Sequence, residues 1–223
     1  MEETRNENKN EKTNERKQGI VVEHVYKSFG KEQVLVDVNL EIPPGKIYGV
    51  VGNNGSGKTV LMKCICGFMH PDKGQIHVGG IRIGKECDFP DKLGVIIETP
   101  GFLPGLSGYK NLKILADLKG RIGKNEIIQT LQRVGLNPKM KKPVSKYSLG
   151  MRQRLGIAQA IMENPDVLIL DEPFNGLDKA GVAEMRQLLL SLKESGKAIM
   201  LASHNAQDIE MLCDCVHEME DWK

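Results

Sequence analysis

The sequence predicts an α/β fold in which a mostly parallel sheet is flanked by helices. Short apolar runs of strand length recur along the chain, at Ile47–Val51, Leu93–Ile97, Val167–Leu170 and Ala198–Ala202. Longer segments with helical spacing separate most of these runs. Strands that are apolar at successive positions are typical of a parallel sheet buried on both faces, and parallel strands need long, usually helical, connections. Together these observations predict the fold class.

The N-terminal part of the chain predicts a tail followed by a smaller antiparallel β subdomain. Residues 1–19 carry interleaved charges of both signs and a single apolar side chain, so we predict a disordered tail there. Ile20–Val25 and Val34–Leu40 are rich in apolar and β-branched residues and are separated by a turn at residues 28–31, as expected for paired strands. The folded domain is therefore predicted over residues 20–223.

The helices follow from apolar residues that recur at intervals of three and four. This spacing dominates between residues 99 and 165, so we predict a helical insert over about that range. Gly135 interrupts the pattern within the insert, and Pro165 ends it. A further helix is predicted over Ala180–Leu192, and Ala198–Ala202 is predicted as the last apolar strand.

The segment after the first buried strand matches the phosphate-binding loop G-x-x-x-x-G-K-[ST]. Its glycines allow the backbone to curl with its N–H groups pointing inward, and the N-terminus of the next helix adds partial positive charge. Lys58 supplies a cation for the β- and γ-phosphates, and the Thr59 hydroxyl suits Mg²⁺. The motif predicts a site for a nucleoside triphosphate. The residues of that site are Gly52, Asn53, Asn54, Gly55, Ser56, Gly57, Lys58 and Thr59.

Three polar side chains follow two later strands and complete the predicted chemistry. Asp171 and Glu172 come directly after Val167–Leu170, and His204 follows Ala198–Ala202. We expect the strand of Asp171 to run parallel beside the phosphate-loop strand, so that this carboxylate holds Mg²⁺ through water. Glu172 would then lie near the γ-phosphate, where a carboxylate polarises an attacking water. His204 is expected within reach of the γ-phosphate or that water.

Composition argues against several other classes of protein. The formal net charge of +2, from 31 basic and 29 acidic residues, creates no global field for nucleic acid or an anionic membrane. No apolar run approaches the ~20 residues that span a bilayer, and no signal core is found at the N-terminus, so a cytosolic chain is expected. The five cysteines fit no common zinc spacing and are expected as reduced thiols. Cys213 and His217 would share a face only if their stretch were helical.

The order of these motifs resembles that of the ATP-binding-cassette (ABC) ATPases over roughly residues 20–220. Between the phosphate loop and the acid pair, the string YSLGMRQ from Tyr147 stands for the family's signature. The string NGLD that ends at Asp178 stands for its D-loop, and His204 for its switch histidine. Apart from the phosphate loop, each string alone is weak, but in this order they are very specific. The resemblance implies the P-loop NTPase fold of an ABC ATPase, with ATP hydrolysis coupled to transport.

The resemblance also implies further site residues. Phe29 stands where the family carries an aromatic ring that stacks on adenine, and Val60 offers its backbone N–H to the α-phosphate. Two subunits are expected to close head to tail over two molecules of ATP, as an ATP-dependent homodimer. The signature residues expected to cap the ATP of the second subunit are Ser148, Leu149, Gly150 and Met151.

Some residues depart from the family's usual pattern. Leu149 stands where the signature usually has glycine, and Met151 where it has glutamine. The lid strand normally ends in glutamine but here leads to Glu98, a carboxylate that can ligate Mg²⁺ but cannot donate a hydrogen bond. This glutamate, the segment ETPGFLPGLSGYKNL and the string YSLGMRQRLGIA together look like the bacitracin- and lantibiotic-type exporters of Gram-positive bacteria.

The resemblance implies a separate membrane-spanning permease subunit, with this chain cytoplasmic and peripheral to the inner face of the membrane. The exported cargo is expected to be an antimicrobial peptide or drug. Phe102, Leu103, Leu106 and Tyr109 either dock onto the permease or pack internally. The alternative is a non-transport ABC ATPase of translation or DNA repair. Translation factors carry two cassettes and repair types carry a long coiled coil, and neither feature is found in this sequence; no nucleic-acid partner is expected.

Overall fold

The computed structural model describes residues 19–98 and 101–222. The tail predicted for residues 1–19 therefore lies outside the described residues except for its last position, and it stays a prediction. Within the described ranges, no helix is both long and apolar enough to cross a bilayer.

Nine strands and six α-helices make up the described residues. In chain order they are β1 (Ile20–Phe29), β2 (Glu32–Ile42), β3 (Ile47–Val51), α1 (Lys58–Ile65), β4 (Lys73–Val78), β5 (Ile81–Arg82), β6 (Leu93–Ile96), α2 (Gly108–Lys119), α3 (Lys124–Arg133), α4 (Leu149–Ile161), β7 (Val167–Asp171), α5 (Lys179–Glu194), β8 (Ala198–Ala202), α6 (Ala206–Leu212) and β9 (Cys215–Glu218). Short 3-10 helices cover Val144–Lys146 and Met219–Trp222.

Five strands form a parallel sheet in the order β6-β7-β8-β3-β9, as the fold class predicted. One detail of the prediction is wrong, because β7 does not run beside the phosphate-loop strand β3. Strand β8 lies between them and pairs with both. Asp171 still ends at the same edge, since all of these strands run in one direction and finish together.

The last part of the chain also differs from the prediction. Ala198–Ala202 is the last apolar strand, but α6 and the exposed edge strand β9, which were not predicted, follow it. Since Cys215–Glu218 is a strand rather than a helix, the condition under which Cys213 and His217 would share a helical face is not met. Strand β9 is mostly exposed and lacks a long apolar run, and it is held in the sheet by its pairing with β3.

Alternation along the buried strands produces two hydrophobic cores, one on each face of the parallel sheet. In β7, Leu168 and Leu170 belong to the core shared with α2, α3, α4 and α5. Val167 and Ile169 belong to the core on the other face, which contains the apolar residues of α1. Because successive side chains in a strand point to opposite faces, a strand that contributes to both cores must be apolar throughout.

A second sheet, antiparallel and in the order β2-β1-β4-β5, covers the α1 face. Its buried residues, such as Ile20, Val22 and Val38, share one core with α1, so that helix is held between the two sheets. The predicted N-terminal antiparallel pair is thus present as β1 and β2, which are longer than the predicted runs. This double packing fixes the helix that follows the phosphate loop.

The segment predicted as a helical insert contains the whole of α2, α3 and α4, and α4 packs against strand β6 of the parallel sheet. Gly94 in β6 permits this packing, because a Cβ atom there would lie 2.0 Å from the carbonyl oxygen of Ala160. The loop before α2 is ordered by Asn111, whose Oδ1 accepts from the Leu103 N–H at 2.7 Å. Its Nδ2 donates to the Leu103 and Ser107 carbonyls at 3.2 and 3.1 Å.

A buried ion pair joins α5 to α6 behind the end of β8. Nε of Arg186 donates to Oδ1 of Asp208 at 2.8 Å, and Nη2 of Arg186 contacts the same oxygen. Ser203 donates from Oγ to Oδ2 of Asp208 at 2.9 Å. The two charged side chains are 10% and 3% exposed, so neither is solvated enough to stand alone.

Replacing Arg186→Met should therefore destabilise the fold, because Asp208 would keep a buried charge without its partner. We expect the free energy of unfolding to fall by about 3–5 kcal/mol in urea titrations. Arg121→Met is the matched control, since it breaks an exposed pair with Asp91 and should leave the unfolding midpoint unchanged. Equal effects of the two substitutions would contradict this account.

Candidate nucleotide-binding site

The phosphate loop runs from the end of β3 into the first turn of α1, as predicted. Gly57 is the N-cap of α1 with φ of 107°, and no side chain caps the helix. A Cβ atom at Gly52, where φ is 147°, would lie 2.8 Å from Oγ of Ser56, and one at Gly57 would lie 3.0 Å from Cγ1 of Val34. Only glycine satisfies both the backbone angle and the space at these positions. The N–H groups of the first helical turn consequently stay open for an anion.

The side chains of Lys58 and Ser56 direct polar groups into this loop. Nζ of Lys58 donates to the carbonyl oxygens of Gly52 and Asn53 at 2.5 and 3.0 Å, and the side chain is mostly buried. The hydroxyl oxygen of Ser56 is buried and, within the described part of the chain, has no hydrogen-bond partner. A buried hydroxyl beside a buried ammonium group fits phosphate oxygens, which would satisfy both.

One cavity unites the phosphate loop with the residues predicted from later strands. It is lined by Phe29 and Val34, by residues 54–60 of the loop and helix, and by Asp171, Glu172 and His204. The structure thus brings together four separated parts of the sequence. Phe29 is 47% exposed at the rim, and Nζ of Lys27 lies 5.7 Å from the centre of its ring. An exposed ring at the rim is suited to stack on a nucleobase.

Thr59 and Asp171 form the oxygen-rich part of the cavity. Oγ1 of Thr59 donates to Oδ2 of Asp171 at 3.2 Å, across the end of β8. Burial raises the pKa of Asp171, while the hydrogen bond from Thr59 and the charge of Lys58 oppose the shift. Carboxylate and hydroxyl oxygens are the ligands that Mg²⁺ prefers, so this pair fits that ion.

Glu172 and His204 face each other beside this pair. Nε2 of His204 lies 3.5 Å from Oε1 of Glu172, which is longer than a good hydrogen bond. That oxygen is buried, and no hydrogen-bond partner for it is found among the described residues. Burial raises the pKa of Glu172, and the neighbouring His204 opposes the shift. A buried carboxylate oxygen without a hydrogen-bond partner is suited to accept a proton from a water bound beside it.

Glu98 lies at the end of the lid strand in a different environment. Its Oε1 pairs with Nζ of Lys63 on α1 at 2.7 Å, and its side chain is 65% exposed. Its φ of 60° is unusual for a residue other than glycine. The charge of this carboxylate raises the pKa of Asp171 by repulsion. Because Glu98 is paired with Lys63, its contact with a metal ion stays a prediction.

The signature and D-loop residues line a separate cavity, away from the phosphate loop. This cavity is lined by Ser148, Gly150, Met151, Gly176 and Asp178, among others. Ser148 and Asp178 are N-caps, with Oγ of Ser148 accepting from the Met151 N–H at 3.2 Å and Oδ1 of Asp178 accepting from the Gly181 N–H at 2.8 Å. Leu149, between two of these residues in the chain, is 55% exposed. The two sets of predicted nucleotide contacts therefore do not meet within one chain.

Sequence reasoning did not indicate the contact of Gln153, a residue of the signature helix that reaches the backbone of Glu172. Gln153, on α4, donates from Nε2 to the carbonyl oxygen of Glu172 at 3.1 Å. It occurs in the predicted signature string, but nothing in the sequence indicates its partner. The only available signal is its spacing of four from Leu149, which places both residues on one face of the helix.

Comparison with known proteins gives consistent results. The family described as ABC transporter matches residues 35–175. The bacitracin transport ATP-binding protein BcrA of Enterococcus faecalis is 44% identical over 204 residues, which are 91% of this chain and 66% of the relative. The lantibiotic transport ATP-binding protein SrtF of Streptococcus pyogenes is 41% identical over 199 residues, which are 88% of this chain and 85% of the relative. The chain thus spans about two thirds of the length of the first of these relatives.

Solved structures share the fold. An ATP binding subunit of an ABC transporter superimposes with a TM-score of 0.80 and 27% identity, covering 89% of this chain and 85% of that chain. The dimeric structure of MJ0796, a bacterial ABC transporter cassette, has a TM-score of 0.79 with 22% identity, covering 90% of this chain and 94% of that chain. With the family match over residues 35–175 and relatives above 40% identity, the chain belongs to the ABC transporter family, as one of its ATP-binding ATPase subunits.

Proposed function

We propose that this chain hydrolyses ATP to drive a membrane exporter for an antimicrobial peptide or drug. The observation that carries the hydrolytic part is the convergence of Lys58, Asp171, Glu172 and His204 in one cavity. The export part is supported by relatives whose names specify bacitracin and lantibiotic transport. The chain would act at the cytoplasmic face of the membrane, bound to a separate permease subunit. The non-transport alternative is not favoured by these relatives.

The cavity supports a division of work among its residues. The open N–H groups of the loop and the ammonium group of Lys58 would bind the β- and γ-phosphates of ATP, with Phe29 against the adenine. Thr59 and Asp171, joined at 3.2 Å, would hold Mg²⁺, with Glu98 as a further candidate ligand. Mg²⁺ bound there would neutralise charge on the phosphate oxygens. Each of these residues would thus bind or orient ATP or its Mg²⁺ ion, and none of them would transfer a proton.

Proton transfer is assigned to Glu172 by this proposal. Its buried, unpartnered oxygen is available to accept a proton from a water that attacks the γ-phosphate. His204, 3.5 Å away, is positioned to orient that water or donate to a phosphate oxygen. Because burial raises the pKa of Glu172, its carboxylate is a stronger base than an exposed one. As the pH falls toward that raised pKa, the carboxylate becomes protonated and can no longer act as the base.

A homodimer is proposed because the site of one chain is incomplete. Ser148 and Gly150 line a cavity distinct from that of Lys58, so in one chain they do not contact the same nucleotide. Two copies arranged head to tail would bring the Ser148 end of α4 to the phosphate loop of the other copy. Oγ of Ser148 caps only the Met151 N–H at that end, so the other N–H groups of the first turn and the hydroxyl suit the γ-phosphate.

Leu103 is the strongest candidate for contact with the permease among the four apolar residues predicted for that role. It is 53% exposed, whereas Phe102 and Tyr109 are partly buried against the core. An exposed leucine whose backbone is held rigidly by Asn111 is suited to a protein interface. The docking proposal therefore rests on Leu103, with Leu106 half-buried beside it.

Lys58→Ala should weaken binding of ATP and Mg²⁺ at least tenfold in calorimetry. The substitution removes a charge-assisted contact of about 1.5–3 kcal/mol with the phosphates. Lys119→Ala, which removes a lysine paired with Glu163 at the end of α2, should bind ATP normally. Unchanged affinity in a folded Lys58→Ala variant would contradict the phosphate-loop assignment.

Glu172→Gln should separate binding of ATP from its hydrolysis. It keeps the shape of the side chain but cannot accept the proton, so we expect a loss of about 10²–10⁴-fold in rate. ATP should stay bound, and light scattering on a sizing column should detect a dimer with ATP and Mg²⁺. Glu194→Gln, at the exposed end of α5, should behave as the wild type. A monomeric Glu172→Gln variant with wild-type turnover would mean that Glu172 is not the base.

Leu103→Asp should abolish co-purification with the membrane subunit while leaving ATP hydrolysis of the isolated chain within a few-fold of wild type. A charge on an apolar contact must be desolvated when the interface forms, which opposes binding. Ile81→Asp introduces the same charge at a partly exposed position of the antiparallel sheet and should co-purify normally. Wild-type yield with Leu103→Asp would place the docking surface elsewhere.

A further inference from the structure

The backbone of Glu172 adopts a conformation that is unusual for its residue type. Its φ is 49°, in the left-handed region, although it carries a full side chain. Such a conformation persists only where surrounding contacts hold it, and it is often found at functional sites. The contacts that hold Glu172 therefore determine where its carboxylate points.

Among the residues that the structure describes, three hydrogen bonds hold this backbone. The Glu172 N–H donates to the carbonyl oxygen of Ala202 at 2.9 Å, which ties it to the end of β8. The Glu172 carbonyl oxygen accepts from the Asn175 N–H at 3.3 Å and from Nε2 of Gln153 at 3.1 Å. The first is a backbone contact with β8 and the second a backbone contact within the turn, whereas the Gln153 contact comes from a side chain.

From this geometry we propose that Gln153 is a positioning residue for Glu172. The inference rests on the proposed role of Glu172 as the base. Gln153 does not line the nucleotide cavity, and it acts only through the carbonyl group that it holds. Without its amide, the Glu172 backbone loses one of the contacts that keep φ positive, and the carboxylate leaves its place beside His204.

A second contact makes this link between helix and turn specific. Leu149 lies four residues before Gln153, on the same face of α4, and packs on Gly176, which lies four residues after Glu172. A Cβ atom at Gly176 would be 2.3 Å from Cγ of Leu149, and one at Gly150 would be 2.8 Å from the Gly176 carbonyl oxygen. Helix α4 thus touches both ends of the segment from residue 172 to 176.

This arrangement relates the two cavities of the chain. Ser148, the N-cap of α4, lines the second cavity, and Gln153 in the second turn of α4 holds the backbone of the proposed base in the first cavity. A shift of α4 when Ser148 meets a second copy would be transmitted to Glu172 through the Gln153 amide. The positioning role therefore supplies a physical route from dimer closure to the base.

The test compares Gln153→Met with Gln159→Met in the full-length chain. Methionine matches glutamine in length but has no amide donor. Gln159 lies further along the same helix, beside β6, so it controls for effects on the helix. For Gln153→Met we expect kcat to fall at least tenfold, with KM for ATP and calorimetric ATP affinity within twofold of wild type. Gln159→Met should retain wild-type kcat.

A double-mutant cycle with Glu172→Gln distinguishes positioning from a general structural role. If Gln153 acts through Glu172, Gln153→Met should cause no further loss once the base is absent. An equal further loss in the Glu172→Gln background, or wild-type kcat for Gln153→Met, would overturn the proposal. If the wild-type chain itself does not hydrolyse ATP, or if Glu172→Gln turns over normally, the proposed function fails instead, and the inference falls with it.

Discussion

The site depends on one constraint, the common direction of the strands in the parallel sheet. Val50 of β3 and Asp171 of β7 are both in register with Ala202 of β8, so three strands end in one row. The segments that follow these strands begin with the phosphate loop, with Glu172 and with the turn that carries His204. A one-residue slip of β7 would turn Asp171 from the edge and also exchange the core positions of Leu168 and Ile169. Burial on both faces of the sheet opposes such a slip, so hydrophobic packing fixes the geometry of the polar site.

Electrostatic balance within the cavity follows from its partial burial. Nζ of Lys58 donates to two loop carbonyls, so its ammonium group is directed at the loop. Asp171 and Glu172 both have pKa values raised by burial, and each is moderated by a neighbour, Thr59 for one and His204 for the other. A triphosphate with its metal ion would meet charges of both signs that are already ordered. Such preorganisation is what phosphoryl transfer requires of a protein.

Local patterns in the sequence were sufficient for the elements that have strong local signals. The bounds of β3 and β8 were predicted as found, because their apolar runs are flanked by a glycine-rich loop and a polar turn. The phosphate loop was predicted because its motif depends on neighbouring residues. The position of β8 between β3 and β7 was not predicted, because apolar runs do not specify which strands pair. Strand β9 was missed because Cys215–Glu218 has no apolar run. The stacking of its His217 on Tyr48 involves residues far apart in the sequence, so no local pattern indicates it.

The departures from the family's usual signature also gain a physical account from long-range contacts. Leu149 stands where the signature usually has glycine, and its larger side chain needs space. A side chain at position 176 would occupy that space. Gly176, with φ of 77°, provides both the turn and that space, because a Cβ atom there would lie within 2.5 Å of Leu149 Cδ2. The larger residue in the signature and the glycine in the D-loop are therefore complementary. Since Leu149 and Gln153 lie on one face of α4, the departure strengthens contact between that helix and the turn of Glu172, where the proposed base is held.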